Sequence, residues 1–111
     1  MNLKLEDTGK VVLVVVKEER LDAHNSDHLK QELGRLFEEG KNRVVVDLKE
    51  VRFIDSSGLG ALVSGFKNAS TRQATLKLSS LQSQVKSMFE LTRLHRVFDI
   101  YPTIDEAIDA F

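Results

Sequence analysis

The sequence contains no cysteine and no tryptophan, and only 1 of its 111 residues is proline. Without cysteine neither a disulfide nor a thiolate metal site can form, which fits a reducing compartment. The formal net charge is -1, whereas nucleic-acid-binding domains normally carry a clustered basic surplus. No apolar run approaches the roughly 20 residues of a membrane-spanning helix, and the alternating start lacks the apolar core of a signal peptide. We therefore expect a cytoplasmic protein without a membrane span and without direct nucleic-acid binding.

The residues that are present have the balance of an ordinary folded domain. Hydrophobic residues make up 41% of the chain and charged residues 30%, which is typical of soluble globular proteins. A chain of this length normally forms one domain around one core. We therefore expect a single domain over residues 1–111.

Apolar patterns predict an opening hairpin followed by alternating strands and helices. Leu3 and Leu5 alternate with charged residues, as in a strand with one wet face, and the run from Val11 to Val16 predicts a strand buried on both faces. This order predicts an α/β fold, in which about four helices cover a mixed sheet of four to five strands. The later strand segments are Val44-Val45-Val46, Val51 to Asp55 leading into a helix, Thr75 to Leu78, which alternates, and Val97 to Tyr101.

Capping residues predict where the helices begin and end. Asn25 is expected to cap the first helix, and Gly40 fits its left-handed end. Ser80 is expected to cap a later helix, while Thr103 and Glu106 form a capping box for the last one. Most polar residues at element ends therefore have a structural explanation.

The turn at residues 55–60, Asp-Ser-Ser-Gly-Leu-Gly, is the exception. Each glycine in a helix costs roughly 1 kcal/mol relative to alanine, so a plain turn would not need two. Small residues leave an open approach to the helix N-terminus, where unpaired N–H groups and the helix dipole favour a negative group. Phosphorylation of a serine there would add about -1.5 to -2 charges, which a docked partner would have to desolvate beside Asp55. This pattern indicates a phosphorylation-controlled binding surface.

Structural interpretations of the polar residues stay open beside this one. Asp55 can cap the following helix, and Asp22 can be a turn residue after a strand. His24 and His28 lie one helical turn apart, a spacing that suits zinc, but no third ligand is evident and no metal site is predicted. His95, in a basic cluster, is expected on a solvated surface.

The motif that begins with Asp47-Leu48 resembles the signature of STAS-domain anti-anti-sigma factors, that is, anti-sigma factor antagonists. It continues through Val51, Phe53 and Ile54 into the turn at residues 55–60. Upstream, Leu21-Asp22 is similar to the pair that follows the family's second strand. The likeness spans nearly the whole chain and implies a single STAS domain over residues 1–111. Downstream, the residues that fall in the family's order are Leu81, Val85, Phe89, Leu94, Val97-Phe98 and Glu106-Ala107.

The resemblance implies a regulatory cycle without a cofactor of this chain. The unphosphorylated protein would bind an anti-sigma factor that is also a serine kinase, and so free the sigma factor. The kinase would phosphorylate the serine after the motif aspartate, here Ser56, with Ser57 as the alternative, and a PP2C-type phosphatase would reverse the modification. The implied partner-binding residues are Asp22, Asp55, Ser56, Ser57, Gly58, Leu59 and Gly60.

Several positions depart from the family pattern. Glu19-Arg20 stands where Gly-Glu is usual, which changes the charge near the expected docking face. Asn25 replaces a threonine. Arg93 replaces a glycine, and the loop from Asn68 to Ala74 contains none. Since glycine favours a left-handed backbone, these two helix ends are expected to differ in shape.

Two other functions stay open. A Ser/His/Asp catalyst would need a histidine at Ser56, and none of the 3 histidines is expected there, so no enzymatic activity is predicted. A STAS scaffold or accessory subunit, as in stressosome-like or lipid-transport complexes, would keep the fold without a phosphorylation switch.

Overall fold

A computed structural model describes all residues from Met1 to Phe111 and contains seven strands and four α-helices. None of the helices combines the length and the apolarity that crossing a bilayer demands. The strands are β1 (Leu3–Asp7), β2 (Val12–Val16), β3 (Arg20–Leu21), β4 (Arg43–Asp47), β5 (Phe53–Ile54), β6 (Thr75–Ser79) and β7 (Asp99–Tyr101). The helices are α1 (Ser26–Glu38), α2 (Ser56–Thr71), α3 (Ser83–Leu91) and α4 (Ile104–Asp109), with a 3-10 turn at Leu94–Arg96.

Five strands form one mixed sheet in the order β1-β2-β4-β6-β7. Strand β1 runs antiparallel to β2, as the predicted hairpin requires, and the remaining neighbours are parallel. The predicted α/β fold with a mixed sheet and four helices is therefore confirmed. The strands β3 and β5 lie apart from this sheet and pair with each other in parallel; this second, small sheet was not predicted.

The sheet separates two apolar layers of unequal size. On one face, Val44 and Val46 of β4 pack in a large core with side chains of α1, α2 and α3, such as Leu33. On the other face, Val45 packs with Ala107 of α4 in a smaller cluster. The central strands are thus buried on both sides, as their unbroken apolar runs predict.

Lys77 of β6 lies under α4 rather than in water. The predicted alternation of Lys77 with Leu76 and Leu78 along the strand is confirmed. Only 6% of Lys77 is exposed, however, so its side chain does not face solvent. Its Nζ lies 3.1 Å from a carboxylate oxygen of Asp99 and 5.0 Å from the ring centroid of Phe111. The ammonium is thus balanced by a carboxylate and an aromatic face, as a buried cation requires.

The predicted caps have mixed outcomes. Gly40 has φ +83° and ends α1 in the left-handed region as expected, and Thr103 Oγ1 accepts a hydrogen bond of 3.1 Å from the N–H of Glu106. The Ser80 cap is wrong, because Ser80 itself has φ +64° and α3 begins after Gln82. Asn25 stands at the N-cap position of α1 as predicted, but its side chain makes no hydrogen bond to the helix.

Two helix ends keep a left-handed backbone without glycine. Arg93 has φ 62° and Gln73 has φ 57°, so the expected change of shape at these ends is wrong. Such a conformation costs roughly 1–2 kcal/mol in a residue with a Cβ atom.

The last strand is shorter than predicted, because the N–H groups of Val97 and Phe98 bond to Leu94 O in the 3-10 turn.

The turn after β1 generates a prediction about Asp7. The N–H of Gly9 donates to its Oδ1 at 2.8 Å, and Lys41 Nζ lies 3.0 Å from Oδ2. The Gly9 hydrogen bond first, and then Lys41, lower the pKa of Asp7 below its ordinary value of 3.8. The contribution to stability is therefore present above this ordinary value and is lost as the pH falls through the lowered pKa.

We expect Lys41→Met to raise the pKa of Asp7 only part of the way to its ordinary value, because the Gly9 N–H remains. A carboxyl NMR titration would measure this. Lys10→Met is the matched control, since it removes an equal charge from the same turn without a contact to Asp7. An Asp7 pKa that does not move in Lys41→Met would contradict the assignment.

Candidate functional site

Helix α2 begins with a cap supplied by Asp55. This residue has an extended backbone, and its Oδ1 accepts a hydrogen bond of 3.0 Å from the N–H of Gly58. The carbonyl of Asp55 accepts a second bond of 3.0 Å from the N–H of Leu59. The structural interpretation of Asp55 is therefore confirmed. Because Asp55 makes the cap, Ser56 and Ser57 are the first two helical residues and do not serve as caps.

The small sheet brings Asp22 beside this helix start. Leu21 pairs with Ile54 in parallel register, and both side chains are buried. The N–H of Asp55 donates to Leu21 O at 3.3 Å. Asp22 and Asp55 therefore follow two neighbouring parallel strands at the same end. Their backbones lie about 5 Å apart by the usual strand spacing. The structure thus brings together the two aspartates that the sequence motif marks.

The two glycines of the turn meet different surroundings. A Cβ atom on Gly58 would lie 2.5 Å from Leu21 O and 2.7 Å from Ile54 Cγ1, closer than such atoms approach. A Cβ atom on Gly60 would meet nothing within 4 Å. Leu59, between them, is 6% exposed and belongs to the core. Gly58 and Leu59 therefore shape the site from beneath, while Gly60 lies on its surface.

The loop after β3 is held by Asn25, and this is the role that replaces the predicted cap. Asn25 Oδ1 accepts the N–H of Asp22 at 2.9 Å, and its Nδ2 donates to Arg20 O at 2.7 Å. Asp22 Oδ1 in turn accepts the N–H of His24 at 3.0 Å. Asp22 is thus a turn residue, as one interpretation predicted, and its side chain is still 15% exposed.

Arg20 is a feature of this surface whose contacts the sequence does not reveal. Its guanidinium carbon lies 4.2 Å from the ring centroid of Phe53, and its Nε lies 3.4 Å from Asp22 Oδ2. The side chain is 62% exposed. Only the pairing of Arg20 with Phe53 across the small sheet could have revealed this contact, and no local pattern encodes that pairing.

The two serines face different surroundings. Ser56 is exposed, whereas Ser57 is half-buried. Ser57 and Gly60 line a shallow depression of about 360 Å³ between α2 and the start of α1, with Asp27 and Lys30 on its far side. Ser56 does not line this depression, so its hydroxyl is the more accessible of the two.

Other polar candidates have structural surroundings. The motif aspartate Asp47 is 2% exposed and accepts a hydrogen bond of 2.9 Å from Ser79 Oγ. The exposed residues His24 and His28 gain no third metal ligand. His95 is exposed as expected, although its Nδ1 also lies 3.3 Å from Phe89 O. None of these residues joins the turn at 55–60.

Comparison with known proteins supports the fold and the family resemblance. The model of the STAS domain family matches residues 2–107. The anti-sigma-B factor antagonist of Listeria monocytogenes is 32% identical over 105 residues, which cover 90% of either chain. The crystal structure of an anti-sigma factor antagonist from Mycobacterium paratuberculosis has a TM-score of 0.87 at 26% identity, covering 98% of this chain and 92% of that one. A Bacillus cell fate determinant in its phosphorylated form has a TM-score of 0.76 over 98% of both chains, but at 20% identity this likeness is one of fold alone.

The contrast between the two glycines generates a prediction. We expect Gly58→Ala to destabilise the fold by about 1–3 kcal/mol, because the added methyl group meets a backbone carbonyl. Gly60→Ala should stabilise it by up to about 1 kcal/mol, since the methyl group meets open space and alanine favours a helix. Urea unfolding of both variants measures the two effects. A Gly58→Ala variant that is as stable as the wild type or more stable would contradict the close packing of Gly58.

Proposed function

This chain belongs to the STAS domain family, and from this premise we propose that it is an anti-sigma factor antagonist. In the proposed cycle, the unphosphorylated chain binds an anti-sigma factor that is also a serine kinase, and the sigma factor is released. Phosphorylation of Ser56 ends this binding, and a PP2C-type phosphatase restores it. The protein then acts in the cytoplasm as a regulator rather than as an enzyme, with residues 1–111 as one STAS domain.

The observation that carries this proposal is the exposed position of Ser56 at the start of a capped helix. The N–H of Gly58 is already bonded to Asp55 Oδ1, and that of Leu59 to Asp55 O. The N–H groups of Ser56 and Ser57 have no such intrahelical partner and can meet an anion. A phosphate there gains about 0.3–1 kcal/mol from the helix dipole when exposed, so the fold should tolerate the modification.

The same phosphate should be unfavourable for docking. It would join Asp22 and Asp55 at one end of the small sheet, so that three acidic groups would share one surface, where Arg20 already contacts Asp22. A partner that covers this surface has to desolvate them, which costs several kcal/mol for an unpaired charge. Since about 1.4 kcal/mol changes an affinity tenfold, this penalty outweighs the gain at the helix end. Phosphorylation thus switches binding off without unfolding the chain.

Accessibility favours Ser56 over Ser57 as the acceptor. Ser56 is exposed and does not line the depression beside α1. Ser57 is half-buried and lines that depression together with Lys30. A kinase active site would reach the Ser56 hydroxyl with less rearrangement of α1.

Phosphorylation of the wild type and of two alanine variants tests the acceptor. Each protein is incubated with ATP and the serine kinase encoded nearest its gene, and intact masses are taken. We expect one phosphate on the wild type and on Ser57→Ala, and none on Ser56→Ala. Phosphate on Ser56→Ala but not on Ser57→Ala would move the acceptor to Ser57. No phosphate on the wild type would favour a constitutive scaffold or accessory subunit.

Binding of the same kinase tests the switch. We expect Ser56→Asp to bind at least about tenfold more weakly than the wild type, because the carboxylate is desolvated at the interface. Ser56→Asn is the matched control, since it has nearly the same size without the charge, and it should bind nearly as the wild type does. Equal binding of the Asp and Asn variants, measured by calorimetry, would contradict an electrostatic switch at this residue.

A further inference from the structure

The outward face of the small sheet continues into the turn at residues 55–60, called the acceptor turn because it contains the proposed acceptor Ser56. Side chains alternate along a strand, and Leu21 and Ile54 are buried at 0% and 1% exposure. Their neighbours Arg20 and Phe53 therefore lie on the outward side, where the guanidinium lies over the ring. Arg20 Nε lies 3.4 Å from Asp22 Oδ2, and Asp22 follows β3 beside Asp55 at the start of α2, so the cation of Arg20 adjoins the turn that contains Ser56.

The guanidinium of Arg20 is held in place but only partly used. The Phe53 ring lies on one side of it, and its Nε is directed to Asp22 Oδ2 at 3.4 Å. A guanidinium has five N–H donors, and Nε supplies only one of them. The two terminal nitrogens, with four N–H groups, make no hydrogen bond within the chain, and the side chain is 62% exposed. This planar donor fork matches the geometry of a carboxylate.

Each acidic group near Arg20 has at least one contact elsewhere in the chain. Asp22 Oδ1 accepts the N–H of His24, and Asp55 Oδ1 accepts the N–H of Gly58. Glu19 is paired with Arg52 at 3.8 Å. No side chain of the chain accepts a hydrogen bond from the terminal nitrogens of Arg20, so these exposed donors are open to an acceptor on a partner.

We infer that Arg20 selects the partner by pairing with an aspartate or glutamate on the docking face of the anti-sigma factor kinase. The inference rests on the proposed function, because that kinase is the partner. Complementary charges at an interface raise the rate of encounter, and like charges exclude wrong partners. A kinase with a lysine or arginine at the facing position is thereby rejected. Arg20 is thus a specificity-determining residue outside the acceptor turn.

Binding kinetics of the kinase with Arg20 variants, at low and high ionic strength, test this inference. We expect Arg20→Gln to weaken binding about tenfold and Arg20→Glu about a hundredfold, within the range found for close interfacial charge pairs. The salt dependence of the association rate should flatten in Arg20→Gln, since screening then acts on one charge fewer. Arg20→Lys should bind between the wild type and Arg20→Gln, because lysine keeps the charge but loses the planar fork.

The matched control is Arg72→Gln, at the other end of α2. This helix has 16 residues, so Arg72 lies roughly 24 Å from Ser56 at the usual rise per residue. Its removal changes the net charge equally and should leave the affinity nearly unchanged. Equal losses in Arg72→Gln and Arg20→Gln would overturn the inference, because the effect would then be one of overall charge.

The proposed function and the inference fail in different ways. If Ser56→Asp weakens binding as expected while Arg20→Glu binds as tightly as the wild type or more tightly, only the role of Arg20 is overturned. If the kinase binds all Ser56 and Arg20 variants alike, both are overturned. A wild-type protein that binds no anti-sigma factor kinase overturns the proposed function, and the inference with it.

Discussion

The close approach of the first turn of α2 to the backbone of β3 is the constraint on which the site depends. Gly58 lies so near Leu21 O that even a methyl group would overlap the carbonyl oxygen. This contact ties β3, β5 and the helix start into one unit, although β3 and β5 are only two residues long. Because this contact involves backbone and core atoms, it positions the unit without using the outer side chains, which stay available for binding.

The energetics of this unit favour control by charge. A helix end stabilises an added phosphate only modestly, and a desolvated interface is destabilised by it much more strongly. An added phosphate would therefore stabilise the fold slightly and weaken partner binding more strongly. With Ser56 as the proposed acceptor, such a response needs no conformational change, because the modified residue would lie on the proposed docking surface itself.

The sequence predicts those parts of the structure that depend on local spacing. The order of strands and helices follows from apolar periodicity, and the Asp55 cap and the left-handed Gly40 follow from nearest neighbours along the chain. The stacking of Arg20 on Phe53 and the burial of Lys77 depend on register between strands or on the packing of α4, which no local pattern encodes. The contacts of Asn25 to Asp22 and Arg20 are local, but the residue type alone does not distinguish a helix cap from a loop contact. The acceptor serine stays a prediction from the motif, which the exposed position of Ser56 supports.

The division between a buried support and an exposed outer face bears on how several such regulators could coexist in one cell. The position of the acceptor turn depends on Gly58, Leu59 and the carbonyl of Leu21, none of which is a free outer side chain. After a gene duplication, the residue at position 20 could therefore diverge without moving the turn. Paralogous pathways would then stay insulated from crosstalk through one exposed charge, while the chemistry of the switch stayed common to all of them.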